Sequence, residues 1–186
     1  MRKLRIFAHT SADCIVQPPG DDEFANGGWS SPYRSPGGAE TLAKRQGHYD
    51  LLLGRRTYDM WAGYWPKITG GPFADSINSA KKYVMTHRRD GLEWGPVEAV
   101  VGDIAEGVRR IKSTSGPDLV VWGTTTLTPL LFEQKLVDEV VLLVYPILLG
   151  KGIRFFSDRV DPSRLTLVST SATPTGVLVN TYTPAS

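Results

Sequence analysis

The sequence contains little cysteine, little net charge and no long hydrophobic run. Cys14 is the single cysteine among 186 residues, so an intrachain disulfide and a cysteine-rich zinc site are both excluded. The net charge is only +2 and the basic residues are scattered, which argues against a nucleic-acid groove. No segment approaches about 18 apolar residues, and no signal-peptide core follows the basic N-terminus. We therefore expect a cytoplasmic protein that binds neither nucleic acid nor membrane.

Several familiar sequence motifs are also missing. Neither GxGxxG nor GxxxxGK[ST] is present, so the chain lacks the Rossmann fingerprint and the phosphate-binding P-loop. There is no HExxH and no GxSxG, and the three histidines, His9, His48 and His87, are isolated from one another in sequence. We therefore expect no dedicated metal site, and ATP hydrolysis is disfavoured.

Strand and helix patterns alternate along residues 1–186, a length suited to one domain. The predicted strands are 4–9, 50–54, 82–86, 97–101, 118–122, 139–149, 164–169 and 177–182. The predicted helices are 39–47, 57–62, 73–80, a segment that follows Asp103, and a segment that runs through 127–134. The last two strands have the pattern of an antiparallel pair. This order predicts an α/β domain in which helices flank a mixed, mostly parallel sheet of about eight strands.

Glycine and proline are concentrated in residues 17–38, which contain five of the 19 glycines and four of the 13 prolines. A structureless segment of this length is longer than a simple connector in a compact domain, and such loops are often lids or binding loops. We therefore expect residues 17–38 to close over a bound ligand.

Two strand-to-helix junctions, Leu53–Tyr58 and Trp122–Leu127, combine glycine with hydroxyl or guanidinium side chains. The N-terminus of a helix exposes unpaired amides and the positive end of the helix dipole, and glycine lets an anion approach the backbone. Two such junctions on neighbouring buried strands suit the phosphates of a dinucleotide. The alternative is that the threonines are ordinary helix caps.

A third strand end, Thr86–Arg89, presents a hydroxyl, an imidazole and two guanidinium groups in succession. An arginine near a dinucleotide site is the usual partner of a ribose 2′-phosphate. The alternative interpretation is a solvated basic turn.

Acidic and aromatic side chains supply the other candidates. Asp13 follows the first strand and is placed to orient a ligand, or it is a turn residue. Glu40 or Asp59 is a candidate proton donor, with an exposed helix carboxylate as the alternative. The candidates for the walls of a pocket that binds a flat heterocycle are Trp29, Trp61 and Trp65, although such residues also form cores and subunit interfaces.

Taken together, these features resemble the dihydrofolate reductase-like family, and most closely its branch that is similar to the C-terminal reductase domain of the riboflavin-biosynthesis protein RibD. The resemblance depends on an ordered set of segments: Ser11–Asp13, Leu51–Tyr58, Gly63–Pro66, Lys82–Thr86, Val121–Gly123, Leu136–Glu139 and Tyr145–Gly152. Together with the first strand, these segments extend over residues 4 to 156.

The resemblance implies a three-layer fold with a central mixed sheet, NADPH as hydride donor, and a homodimer. By motif matching, four groups of residues would contact the cofactor. They are Gly54, Arg55, Arg56 and Thr57 at the first phosphate junction; Thr86, His87 and Arg88 at the adenosine ribose and its 2′-phosphate; Gly123, Thr124, Thr125 and Thr126 at the second phosphate junction; and Ala8, Ile15 and Val16 near the nicotinamide.

The function that the resemblance implies is reduction by NADPH of a C=N or C=O bond in a small pyrimidine- or pterin-like substrate, similar to 5-amino-6-(5-phosphoribosylamino)uracil reductase. The chain departs from dihydrofolate reductases at Gly123-Thr124, where they have two glycines. It also has Gly38 where they have the substrate-binding acid, with Glu40 two residues further on. The alternative is a non-catalytic NADP(H)-binding or ligand-sensing protein that retains the fold.

Overall fold

The computed structural model describes residues 1–16, 28–156 and 162–185, and these contain eight strands and five α-helices. The strands are β1 (Leu4–Ser11), β2 (Tyr49–Gly54), β3 (Lys82–Met85), β4 (Val97–Val100), β5 (Asp118–Trp122), β6 (Glu139–Tyr145), β7 (Leu165–Ala172) and β8 (Leu178–Pro184). The helices are α1 (Pro36–Gln46), α2 (Arg55–Tyr64), α3 (Pro72–Ser79), α4 (Ile104–Ser113) and α5 (Thr128–Glu133).

The eight strands form one sheet in the order β4-β3-β2-β5-β1-β6-β8-β7. The six strands from β4 to β6 are parallel, and β8 pairs antiparallel with both β6 and β7. The predicted α/β fold is confirmed, with its mixed, mostly parallel sheet and its terminal antiparallel pair. The carboxyl ends of β1 to β6 therefore lie along one edge of the sheet.

Helices cover both faces of the sheet. Val108 of α4 and Leu131 of α5 belong to the hydrophobic cluster on one face, whereas Leu42 of α1, Tyr58 of α2 and Ile77 of α3 belong to the cluster on the other. The continuous apolar run of β2 is buried on both sides as a result, and each fully buried leucine contributes about 2 kcal/mol to stability. In the described parts of the chain, no helix is long and apolar enough to cross a bilayer.

The limits of several predicted elements were wrong, among them those of α1, α2 and β6. Helix α1 begins at Pro36, earlier than predicted, because proline fits the first turn and the Ser35 hydroxyl accepts a hydrogen bond from the Gly38 amide at 3.1 Å. Helix α2 begins at Arg55, directly after β2. Strand β6 ends at Tyr145, because Pro146 has no amide to continue the ladder. Of the predicted loop 17–38, residues 17–27 lie outside the described residues.

Candidate active site

A cleft of about 460 Å³ opens at the carboxyl edge of the sheet, where β2, β3, β4 and β5 end side by side. The residues that line it are Gly54, Arg55, Met85, Thr86, His87, Arg88, Val100, Gly102, Ile104, Thr126 and Leu127. The structure therefore brings together three strand ends that sequence reasoning selected separately. Parallel strands explain this, because their carboxyl ends must meet at the same edge.

The first junction is the N-terminus of α2. Gly54 is the N-cap residue and has no side chain to cap the first amides, so the first turn of α2 presents unpaired N–H groups. A Cβ on Gly54 would lie 3.0 Å from Cγ2 of Thr124, so the glycine also allows β2 and the second junction to pack closely.

Arg55 is oriented by two acceptors before any ligand arrives. Its Nε donates to both carboxylate oxygens of Asp59 at 2.8 and 3.0 Å, and its Nη1 donates to the Asp90 carbonyl at 2.8 Å. A guanidinium has five N–H donors, so three remain on Nη1 and Nη2 for an anion. Asp59, a candidate proton donor in the sequence, is instead the ion-pair partner of Arg55.

The end of β3 forms a short hydroxyl-stabilised turn. The Thr86 hydroxyl donates to the Arg88 carbonyl at 2.9 Å, and the Arg88 amide donates back to that hydroxyl at 3.2 Å. These bonds hold His87 and Arg88 at the rim of the cleft. Arg88 is exposed and lies 4.0 Å from the Asp90 carboxylate, so its guanidinium remains accessible.

Fewer side chains of the second junction line the cleft than the sequence predicts. Gly123 has φ +58°, a left-handed conformation that favours glycine, and nothing lies within 4 Å of the position of a Cβ. The buried Thr124 hydroxyl donates to the Trp122 carbonyl at 2.9 Å, which is a local capping role rather than a ligand-facing one. Thr126 lines the cleft. The other predicted residues at the two junctions adjoin the cleft without lining it: Arg56, Thr57, Gly123, Thr124 and Thr125.

Sequence reasoning missed the junction between β4 and α4. Gly102 and Ile104 line the cleft, and the Asp103 carboxylate caps α4 by accepting from the Glu106 amide at 2.8 Å. The signal was available, since a glycine and a capping residue follow a strand here as at the other junctions.

The residues predicted near the nicotinamide are buried, and none of them lines the cleft. Ala8 and Val16 share a hydrophobic cluster with Met85 and Leu127, two cleft-lining residues. Ile15 is also buried, in a β-bridge with Arg154.

Asp13 organises the turn after β1. Its carboxylate accepts from the Ser11 hydroxyl at 2.6 Å and from the amides of Leu149 and Gly150 at 3.1 and 2.7 Å. Hydrogen bonds lower the pKa of Asp13 to about 2; the bond from the Ser11 hydroxyl has the largest effect and the bond from the Leu149 amide the second largest. Asp13 is therefore ionised near neutral pH, and it ties the end of β1 to the segment after β6.

Glu40 lies on the exposed side of α1. It forms an ion pair with Lys44 at 2.8 Å, and this partner lowers the pKa of Glu40. Glu40 does not line the cleft, and among the described residues no hydrogen bond joins it to Asp13. The two predicted catalytic carboxylates are thus not brought together.

The three predicted pocket tryptophans make different contacts. The ring of Trp29 packs edge-on against Tyr145, with centroids 5.0 Å apart. The ring of Trp61 contacts Trp65, which in turn packs on Phe73, at 5.8 and 5.6 Å. All belong to the same face of the sheet.

Sequence reasoning also missed a polar group among these aromatics. His9 of β1 is half-buried, its ring is stacked on Trp122 at 5.2 Å, and its Nδ1 lies 2.6 Å from the Tyr145 hydroxyl. Burial, assisted by the positive charge of Arg34, lowers the pKa of His9 to about 4. Burial also raises the pKa of Tyr145 to about 12, so both groups are neutral near pH 7.

The fold is that of the dihydrofolate reductase-like α/β proteins. Within that class, the chain belongs to the RibD C-terminal domain family, whose profile matches residues 2–179.

The chain is also similar to two proteins of Bacillus subtilis (strain 168). The uncharacterized protein YyaP is 29% identical over 136 residues, which cover 71% of this chain and 72% of YyaP. The uncharacterized protein YwjB is 27% identical over 124 residues, which cover 64% of this chain and 65% of YwjB.

Three solved structures share the fold over nearly the whole chain. A Shewanella sp. PV-4 protein named after riboflavin biosynthesis has a TM-score of 0.74 and 19% identity, with 99% of each chain covered. Enterococcus faecalis dihydrofolate reductase, solved with NADP(H) and RAB-propyl, has a TM-score of 0.66 and 16% identity, with 99% of this chain and 97% of that chain covered. A pyrimidine reductase-like protein from Corynebacterium diphtheriae has a TM-score of 0.62 and 15% identity, with 100% of this chain and 92% of that chain covered.

Proposed function

We propose that the protein is an NADPH-dependent reductase of a small pyrimidine- or pterin-like substrate. The observation that carries the proposal is the convergence of the β2, β3 and β5 ends on one cleft. The family supports a reductase-like activity, and the dihydrofolate reductase with the same fold was solved with NADP(H).

The residues of the cleft fit the phosphates of a dinucleotide. The uncapped first turn of α2 offers backbone donors, and Arg55 keeps three guanidinium donors beside them. His87 and Arg88 at the rim would contact the adenosine ribose and its 2′-phosphate, which favours NADPH over NADH.

A gap in the sheet suits the nicotinamide end of the cofactor. Strand β1 pairs with β5 only as far as Phe7, but with β6 as far as Ser11. The chain after β5 turns away at Gly123, so Ala8 borders this gap. The chain connections that follow β1 and β5 also leave in opposite directions along the sheet, and ligands of open α/β sheets bind at such points.

The chemistry needs one hydride and one proton. NADPH, when bound, supplies the hydride to an electron-poor C=N or C=O carbon, and the nitrogen or oxygen takes up the proton. Asp13 is an unsuitable acid because its pKa is about 2, and Lys44 likewise lowers the pKa of Glu40. We therefore propose that Asp13 positions the turn after β1 and that water supplies the proton.

A non-catalytic NADP(H)-binding protein is the second candidate. The specific observation in its favour is the state of the two predicted acids, since each is held as a carboxylate by its partners. Cofactor binding without turnover would follow from this arrangement.

A homodimer in the cytoplasm belongs to the proposal as well. Three apolar side chains of the β7–β8 edge, Leu167, Val168 and Leu178, are 53%, 58% and 43% exposed. Several exposed apolar side chains on one edge of a sheet favour a subunit interface. Sedimentation equilibrium would detect the dimer, and a monomer at all concentrations would refute it.

The test of the cofactor site is a fluorescence titration with NADPH and NADH. Arg55→Gln removes charge-assisted hydrogen bonds and should weaken NADPH binding by about tenfold to a hundredfold. The matched control is Arg110→Gln, an exposed arginine of α4 that does not line the cleft. Equal affinities of the two variants would contradict the assignment, with circular dichroism to confirm that both are folded.

The test of turnover is the loss of nicotinamide absorbance with a panel of pterins, pyrimidines and quinones. Oxidation of NADPH with a pterin or pyrimidine supports the reductase. Tight NADPH binding without oxidation across the panel favours the non-catalytic candidate, and absence of NADPH binding by the wild-type protein overturns both.

A further inference from the structure

A cluster of one imidazole and several aromatic rings lies at the carboxyl ends of β1, β5 and β6, on the face of the sheet opposite to Ala8. We call His9, Trp122 and Tyr145 the His9 cluster. His9 and Tyr145 are joined by a hydrogen bond of 2.6 Å, and His9 and Trp122 stack with ring planes 20° apart. Trp29 and Tyr33 pack edge-on against Tyr145 at 5.0 and 5.6 Å.

The hydrogen-bond pattern determines what the imidazole offers to a ligand. The Tyr145 phenol is neutral and lies 2.6 Å from Nδ1, the only nitrogen of His9 that it contacts. Because a phenol is a stronger donor than a neutral imidazole N–H, we assign the phenol as the donor and Nδ1 as the acceptor. A neutral imidazole with an acceptor at Nδ1 carries its proton on Nε2. Among the described residues, the hydrogen bond of the His9 ring is made by Nδ1 and none is made by Nε2, and His9 is only half-buried.

A second N–H donor of the cluster is also without an acceptor. The indole Nε1 of Trp122 is buried and has no hydrogen-bond partner among the residues that the structure describes. Buried polar groups are almost always paired, so an unpaired N–H points to a missing acceptor. The His9 cluster therefore provides two N–H donors, Nε2 of His9 and Nε1 of Trp122, and it contains no carboxylate. Aromatic rings surround these donors.

We propose that His9 is a substrate-contacting residue, whose Nε2–H donates a hydrogen bond to a ring carbonyl oxygen of a flat heterocycle. This inference rests on the proposed function, and it assigns the substrate to the His9 face of the gap between β1 and Gly123. Tyr145 is the positioning residue, because its hydroxyl selects the tautomer of His9. The indole of Trp122 stacks against one face of the imidazole and holds the orientation of that ring.

The arrangement selects for acceptor atoms and against cations. The guanidinium of Arg34 adds positive charge near both His9 and Tyr145, and no described carboxylate contacts the pair. A neutral carbonyl oxygen or an anionic ring oxygen suits these surroundings, whereas an ammonium group does not.

The three histidines of the chain provide a single experiment that separates this inference from the proposed function. His87 lines the cofactor cleft, His9 lies in the His9 cluster, and His48 is exposed between α1 and β2. Side-chain nitrogen and proton resonances would be recorded by NMR on the full chain with isotope-labelled histidine, first with NADP⁺ and then with added 5-aminouracil or 7,8-dihydropterin. Loss of a signal in a His9→Asn variant assigns it.

We expect NADP⁺ to shift the His87 signals, and either heterocycle to shift the Nε2 signal of His9 while Nε2 stays protonated. His48 should not move in either step. A His87 response with His9 unmoved by both heterocycles overturns the inference and leaves the proposed function standing. No His87 response to NADP⁺ contradicts the proposed function, whatever His9 does.

A pair of tyrosine variants separates positioning from packing. Tyr145→Phe keeps the ring and removes the hydroxyl, so His9 should become a mixture of tautomers and heterocycle binding should weaken roughly fivefold. Tyr182→Phe is the matched control, a tyrosine of β8 outside the cluster, and should change neither quantity. Unchanged tautomer and affinity in Tyr145→Phe would overturn the positioning role.

Discussion

Acidification should destabilise the protein through His9. Burial, with Arg34 as the second cause, lowers the pKa of His9 from 6.5 to about 4. The unfolded chain therefore binds more protons than the folded chain between these two values. The contribution of neutral His9 to the free energy of unfolding is fully present above the pKa of His9 in the unfolded chain. It is lost as the pH falls from that value towards the pKa of His9 in the folded chain. The other titratable group in contact with the imidazole, Tyr145, does not change charge there, because its pKa is about 12.

The size of the effect follows from the two pKa values. Between about pH 7 and about pH 4.5, the linkage relation gives a loss of about 2 kcal/mol, and partial solvent access to the ring reduces it to between about 1 and 2 kcal/mol. The measurement is urea unfolding of the wild-type protein and of His9→Gln at both pH values. The difference between the two proteins isolates His9, because their carboxylates are the same.

The wild-type protein should lose more stability than His9→Gln on acidification, by that amount. The variant is expected to be less stable at neutral pH, because it lacks the stacking on Trp122, but this offset does not depend on pH. A stability difference that stays constant between the two pH values would show that His9 is solvated and titrates normally, and would refute the reasoning.

Two further predictions concern stability. Lys82 is fully buried. Its ammonium donates to the Asn78 carbonyl at 2.6 Å and lies 4.2 Å from the Trp94 ring centroid. Desolvation lowers the pKa of Lys82 to about 8. Between about pH 7 and about pH 9.5, urea unfolding should therefore show the wild-type protein gaining about 2 kcal/mol relative to Lys82→Met, and a parallel pH dependence would contradict this. Gly123→Ala should cost about 1 kcal/mol in the same assay, because φ is +58° there, whereas the control Gly63→Ala in α2 meets equally open space and should be neutral or stabilising.

Local patterns explain why so much of the fold was predictable. The apolar run of β2 and the N-cap at Asp103 each depend on a few consecutive residues, and both are confirmed. The errors arose where one residue changes the outcome. Pro36 begins α1 inside a segment that glycine and proline made resemble a loop, and Pro146 ends β6 inside a run that remains apolar.

The convergence of the cleft residues was predictable in part for the same reason. Glycine with hydroxyl or basic residues at Gly54, Thr86 and Gly123 indicated strand ends, and parallel strands bring such ends to one edge. The junction at Gly102 has the same local pattern but was not recognised as part of the cleft, because only the sheet order shows that β4 adjoins β3.

The sequence by itself determined the succession of strands and helices, the family, and several residues that line the cleft, because all of these are encoded over short stretches of chain. Only the tertiary structure decided which side chains share a surface. His9 and Tyr145 are 136 positions apart, and they meet because β1 and β6 pair in a register that places their ends side by side. The same pairing buries the imidazole beside Trp122, and this burial lowers the pKa of His9.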